Sequence, residues 1–251
     1  MKIGLIVVGD EILSGDRKDL NAEFFIHALR SKKLFLDFLV FVRDIQDDIE
    51  AAFNLLVENT RYLFISGGLG LTPDDITLES LAKATGFMLV ENPRKRDIVL
   101  ENLSRLKATR YYGYVNELSK SLENSEPIPN SVGVAAGERF NYKGCDVFVL
   151  PGVPKELQEM IIAYILNMLP EGSEEVSFEY LVDSKEAFLI ETLRQIGKEF
   201  QVETFSYPPI LSEKYLRIRL RSVDPERLEK ACVFFENFLR DLAVYYEKRK
   251  P

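Results

Sequence analysis

The chain has 251 residues, 46% of them hydrophobic and 29% charged, with a net charge of −8 and a pI of about 5.0. That is enough apolar side chain for one large domain or one plus a small one, and its acidic balance disfavours broad nucleic-acid binding by long-range repulsion. Two cysteines and a single histidine exclude a disulfide framework, a thiolate zinc site and a multi-histidine centre, so any metal must be held mainly by oxygen.

The start, MKIGLIVVGDE, goes directly into an apolar run with an early acidic pair. It lacks the basic, apolar and small-residue parts of a secretion signal, and no run reaches the length of a membrane span, so the expectation is a cytoplasmic protein. Ile3–Val8 is continuous and β-branched, as a strand buried on both faces should be. Helical spacing follows from about Leu20 to Leu29, then a strand over Leu34–Val42, a helix over Ile49–Val57 and a strand at Tyr62–Ile65. A helix opens after Asp75. This alternation predicts a mostly parallel sheet covered on both faces, a three-layer α/β/α sandwich.

Residues 93–122 are mostly polar and helical in character, which suits a lid or cap. The apolar run Val147–Leu150 ends in Pro151-Gly-Val-Pro154 and opens a helix over Lys155–Leu169. The turn-forming cluster Pro170-Glu-Gly-Ser173 marks a boundary, giving domains of 1–170 and 171–251 with net charges of −5 and −3. The second part reads as strand (176–182), helix (185–200), strand (202–207), strand (215–222) and helix (225–246), a small α+β unit.

The richest stretch is SGGLGLTPDDIT, Ser66 to Thr77. Gly67, Gly68 and Gly70 stand at the carboxyl end of a strand, where bare backbone can turn N–H groups toward an anion at a helix N-terminus. Asp74 and Asp75 are hard oxygen ligands for a divalent cation such as Mg²⁺, with Thr72 beside them. No Gly-Lys-Ser/Thr follows, so this is not a P-loop, and Pro73 occupies the position of the third glycine of a dinucleotide fingerprint. The plain alternative is a tight turn with helix capping.

Three other loops fall at strand ends, where open α/β sheets bind ligands. Gly9-Asp10-Glu11 offers metal or ribose contacts, or merely a turn acid. Asp44 either reaches the same cleft or caps the helix behind it. Pro151-Gly152 leads to Lys155 and Glu156 in the first turn of a helix, where Lys155 would neutralise phosphate and Glu156 suits the helix dipole in any case. Asn130 to Gly137, with Gly133 within it, is a loop of small residues able to cradle an anion or a ring, or an ordinary connection. Lys120 is a further candidate for phosphate neutralisation. Arg217, Arg219 and Arg221 alternate with Leu216, Ile218 and Leu220, and a solvated sheet face balanced by glutamates is preferred over an RNA surface. His27, Cys145 and Cys232 read as structural.

Four blocks, GDEILSG, SGGLGLTPDDIT, PIPNSVGVAAG and LPGVPKEL, resemble in order and spacing the amino-terminal domain of CinA-like competence/damage-inducible proteins, within the MoaB and MogA molybdopterin-binding group. The resemblance covers residues 1–170, and the tail containing FSYPPILSEKYLRIRL is similar to the small domain that follows in CinA-like proteins. Leu71 stands where the family usually has proline, and Val134 and Ala136 where GTAPG is common. The further amidohydrolase domain of full-length relatives, which deamidates nicotinamide mononucleotide, is not matched in this sequence, so deamidation is not expected.

The resemblance implies a homo-oligomer, dimer or trimer, and one of two functions. The first is a divalent-metal-dependent (Mg²⁺, Mn²⁺ or Co²⁺) pyrophosphatase converting ADP-ribose to AMP and ribose 5-phosphate. In that reading Asp74, Asp75 and Asp10 or Glu11 are metal ligands, Lys155 and Lys120 neutralise charge and Glu156 is the candidate base. The second is a protein that binds and adenylylates molybdopterin.

Overall fold

The computed structural model describes residues 1–210 and 213–250; Leu211 and Ser212, inside the FSYPPILSEKYLRIRL stretch, and Pro251 lie outside them. The chain divides into two compact units, Met1–Glu171 and Gly172–Pro251.

The first unit is built on β1 (Ile3–Val8), every residue of which is buried. Its alternate side chains feed two separate cores. Ile3, Leu5 and Val7 pack with Phe25 and Leu29 of α1 (Asn21–Ser31) and with Leu157 and Met160 of a later helix, while Ile6 and Val8 pack with Ile49, Phe53 and Leu56. The latter three belong to α2 (Gln46–Val57), which follows β2 (Phe38–Val42). Next come β3 (Tyr62–Ser66) and α3 (Thr77–Thr85), then the short β4 (Leu89–Glu91) and α4 (Pro93–Arg105). Asn92 caps α4 by accepting from the N–H groups of Arg94 and Lys95, with Pro93 in the first helical turn. A 3-10 turn at Thr109–Tyr114 leads to β5 (Lys120–Leu122), β6 (Glu126–Ile128), β7 (Gly137–Tyr142), β8 (Cys145–Leu150) and α5 (Pro154–Met160), which runs on through a π turn at Ile161–Ile165.

The sheet order is β2-β1-β3-β8-β7-β6. Its first four strands are parallel, and β7 and β6 are antiparallel. With helices on both faces this is the mostly parallel three-layer sandwich that the sequence predicts. The segment read as a lid or cap folds on itself: Val99 and Leu103 of α4 share a small core with Val115 and Leu118 of a short helical turn, Val115–Leu118, that follows the 3-10 turn. It is tied to the sheet by Lys95, whose ammonium pairs with Glu138 on β7 and donates to the Lys120 carbonyl oxygen at 2.7 Å.

The second unit contains β9 (Val176–Val182), α6 (Ile190–Phe200), β10 (Glu203–Tyr207), β11 (Leu216–Ser222), α7 (Pro225–Asp241) and β12 (Tyr246–Arg249). The antiparallel order β10-β11-β9-β12 is the ferredoxin-like βαββαβ arrangement. Two expectations are corrected here. The last helix stops at Asp241, because Ala243 takes a left-handed φ of 53° and turns the chain into β12. The preceding helix begins at Ile190, after a separate 3-10 turn at Glu186–Phe188.

Arg217, Arg219 and Arg221 occupy the sheet face opposite the apolar core. Arg219 pairs with Glu179 at 3.1 Å, Arg221 with Glu203 and Glu175, and Arg217 lies over the Tyr207 ring. No helix among the described residues is long and apolar enough to cross a membrane.

Candidate active site

Parallel pairing aligns the strand ends that carry the chemistry. Val8 lies beside Val42, Val7 beside Ser66, and Ser66 beside Leu150. The ladder extends one step further, with the Gly9 N–H donating to the Val42 carbonyl oxygen at 3.1 Å and the Gly67 N–H to that of Leu150 at 3.0 Å. The chain then leaves each strand around a cavity of about 850 Å³.

Gly67 has φ 113°, and a Cβ there would run into the Val8 carbonyl oxygen; Gly152, from the loop after β8, packs so that its own Cβ would sit 3.2 Å from the Gly67 Cα. Gly67 is therefore a position that only glycine fits, and Gly152 packs closely against it. The Gly67 N–H, however, is spent on the sheet, so it is not the phosphate donor that the sequence suggests. Gly68 and Gly70 keep theirs: neither N–H makes a hydrogen bond among the described residues, and both glycines line the cavity.

The acids divide by what already holds them. Asp75 accepts from the N–H of Thr72 at 2.9 Å and from its hydroxyl, closing the turn. Asp10 is paired with Arg43 at 3.1 Å, and that hydrogen bond, more than any other interaction, holds its carboxyl below the ordinary range. Asp44 accepts from the Asp10 N–H at 2.7 Å and lines the cavity with Glu11 and Asp74. Burial pushes its carboxyl up; the Asp10 N–H opposes this, while the charges of Asp10, Asp74 and Glu11 push it up further. The exposed Asp74 carboxylate has no hydrogen-bond partner among the described residues.

No group of three or more His, Cys, Asp and Glu side chains among the described residues is placed to hold a metal ion. The donor chemistry does fit a hard cation held by one or two carboxylates and completed by water and ligand oxygens, the usual manner of Mg²⁺. On the cavity, Asp74 is without a partner among the described residues, while Asp44 and Asp75 are each engaged through Oδ2, by the Asp10 N–H and by Thr72; Asp10, expected as a ligand, is paired with Arg43 and does not line the cavity.

Glu156, on the first turn of α5, also lines the cavity. Asn130 holds it: its Nδ2 donates to Glu156 Oε2 at 2.7 Å and to the Ala135 carbonyl oxygen, while its Oδ1 accepts from the N–H groups of Val132 and Gly133. The loop from Asn130 to Gly137 therefore spends the Gly133 N–H on its own shape, and its service to the site is to position Glu156.

Burial pushes the Glu156 carboxyl above its ordinary 4.5, opposed by the Asn130 hydrogen bond. The folded chain holds this proton to a higher pH than the unfolded chain, so the stability it brings is complete below 4.5 and lost as pH rises through the folded value. Glu156→Gln keeps an acceptor for Asn130 and removes that loss. At pH 7 the variant is expected to unfold at the same or a higher urea concentration than the wild type, with the advantage vanishing under acid; a less stable variant at pH 7 would contradict this.

Ser66 and Pro151 line the cavity as expected, whereas Asn130, Gly133, Gly137, Asp10 and Lys155 do not. Lys120 borders a neighbouring cavity of about 240 Å³. The cations on the main cavity are instead Arg17 and Lys18, which lack any motif. Sequence reasoning also passes over Asn21, buried with its amide donating to Ser66 Oγ at 3.0 Å and to the Gly152 carbonyl oxygen at 2.8 Å, and Tyr111 of the cap. An asparagine at the first position of a helix that packs beneath the glycine loop is a weak signal, and a tyrosine in a polar segment is weaker still.

Comparison with known proteins follows the same outline. Residues 4–171 match the family described as probable molybdopterin binding domain. Protein TK1472 of Thermococcus kodakarensis is 30% identical over 248 residues, covering 93% of this chain and 95% of that one. The structure of the protein CinA from Thermoplasma acidophilum aligns with a TM-score of 0.60 at 30% identity, covering 67% of this chain and 98% of that one. The chain belongs to the CinA-like branch of the molybdopterin-binding-domain family. A further CinA-like relative, a putative competence-damage inducible protein of Streptococcus pneumoniae, is 31% identical over 175 residues, 69% of this chain but 42% of its own length. Of the three positions singled out against the family resemblance, Leu71 and Val134 pack against the cap core and line the cavity, and Ala136 borders the neighbouring one.

Proposed function

We propose that this cavity is the active site of a divalent-metal-dependent nucleotide pyrophosphatase, a phosphoanhydride hydrolase that splits ADP-ribose with water into AMP and ribose 5-phosphate. The observation that carries the reading is one cavity holding both crowded carboxylates and uncommitted backbone donors: Asp44 and Asp74 on one side, the Gly68 and Gly70 N–H groups on the other. Asp74 and Asp44 would hold Mg²⁺, Mn²⁺ or Co²⁺, which supplies charge neutralisation and a more acidic water when bound. The two glycine N–H groups hold phosphate oxygens at a position without side chains. Glu156, kept basic enough to accept a proton by its buried setting, takes the proton of the attacking water. Arg17 and Lys18, which line the cavity beside Glu11 and Glu23, would balance charge on the departing phosphate. A homo-oligomer, dimer or trimer, belongs to the same proposal and is checked by light scattering.

The test is incubation of the purified chain with ADP-ribose or ATP and each metal, with products resolved by chromatography. AMP and ribose 5-phosphate from ADP-ribose, formed only with metal, support the reading; absence of turnover with every metal sinks it. The family match favours a second reading, a molybdopterin-binding or adenylylating protein, for which a co-purifying fluorescent pterin is the sign.

A further inference from the structure

The cavity has two unlike walls. The strand-end lining carries all the carboxylates and the free glycine N–H groups, among apolar residues such as Val8, Leu20 and Val153, whereas the cap-facing lining, Leu71, Tyr111, Leu118, Val134 and Ala135, carries no charge. Tyr111 supplies the one aromatic ring among the described lining residues. It is half-buried against the small core of the cap. Its N–H donates to the Ala108 carbonyl oxygen at 3.1 Å, and the Ala108 N–H donates to that of Leu103 at 3.0 Å, so the 3-10 turn is anchored to α4. Arg110 places its guanidinium 4.8 Å over the ring and donates to the phenol oxygen at 3.1 Å. The turn thus holds the Tyr111 backbone in place before any ligand arrives, and Arg110 is the partner on one face of the ring.

We propose that Tyr111 is the ring-stacking residue of this cavity, receiving the planar heteroaromatic part of the ligand while the phosphate end lies at Gly68, Gly70 and Asp74. The inference rests on reading the cavity as a nucleotide or pterin site, and it names which wall takes the ring. An aromatic face favours a flat π partner over an aliphatic chain, because stacking adds to the area buried. The segregation of the walls sets the ligand's direction: apolar ring toward the cap, anion toward the glycine loop.

Two ring probes and one ringless probe test this by calorimetry: AMP, pterin-6-carboxylate and ribose 5-phosphate. They are titrated into the wild type, Tyr111→Phe, Tyr111→Ala and Tyr111→Leu, with ADP-ribose turnover followed in parallel. Tyr111→Leu keeps apolar bulk against the cap core, so it guards against loss through misfolding. Losing a stacked base is worth a factor of about 5 to 150. Affinity for at least one ring probe should fall that far in the Ala and Leu variants and persist in Tyr111→Phe, with ribose 5-phosphate binding unmoved. Equal loss of ringed and ringless probes, or no loss, overturns the assignment. A wild type that binds a ring probe through Tyr111 yet fails to turn over ADP-ribose keeps the stacking role and rejects the hydrolase. A wild type that binds neither ring probe rejects both.

Discussion

Asparagine in place of Asp74 is expected to lower metal-dependent ADP-ribose turnover by about 10²–10³-fold while leaving the melting curve close to that of the wild type. The side chain is exposed and holds nothing in place, so its removal as a charge costs the fold little, and surface changes of this kind usually stay within about 0.5 kcal/mol. Its neighbour behaves differently. Asp75 closes the turn onto Thr72, so Asp75→Asn disturbs the loop as well as the charge, and its loss of activity should come with a lower melting temperature. Steady-state rates beside thermal melts of the two variants separate charge from geometry. Wild-type turnover in a folded Asp74→Asn protein would remove this carboxylate from the mechanism.

Lys95→Met is expected to produce the largest loss of stability in the first unit, about 3–5 kcal/mol by urea unfolding, as for other broken buried ion pairs. Lys95 and Glu138 are both buried, 2% and 0% exposed. Glu138 also accepts from the Leu122 N–H at 3.1 Å and from the Ser125 hydroxyl at 2.9 Å. Removing only the ammonium strands a carboxylate in a dry environment. Adding Glu138→Gln removes the second charge yet keeps an acceptor for Leu122 and Ser125, so the double variant should regain most of the loss. A double variant no more stable than the single would show that the pair stabilises the fold through packing and not through charge compensation.

The parallel half of the sheet was legible because its strands are buried on both faces: Ile3–Val8 and Val147–Leu150 read as continuous apolar runs, and the loops that follow them carry the acids and glycines. β7 was not legible. Its sequence, GERFNY, alternates only Phe140 and Tyr142 with polar residues, because the inward position before them is Glu138, a buried carboxylate satisfied by Lys95, and two apolar positions are too short a pattern to read as a strand. β12, YEKR, is a charged edge strand, and the helical pattern before it runs on in sequence past the residue where the chain turns. At the site, the sequence locates the loops but not the use of each hydrogen bond. Gly67 and Gly133 look like free donors until the sheet and Asn130 claim them, and Arg17 and Lys18 reach the cavity only through the path of a loop without a motif.

The cavity is assembled from chain ends at Gly9, Ser66 and Leu150, which neighbour one another only through the register of β1, β3 and β8. No peptide cut from the chain, not even the glycine-rich stretch itself, can possess this site. Occupancy and sheet integrity are consequently one equilibrium: a ligand that binds only the folded state draws the whole first unit toward it, and a strand that frays at its carboxyl end is felt as weaker affinity before any loss of helix content. The binding constant of this domain is in that sense a local thermometer of its sheet, most sensitive where Gly67 and Gly152 touch.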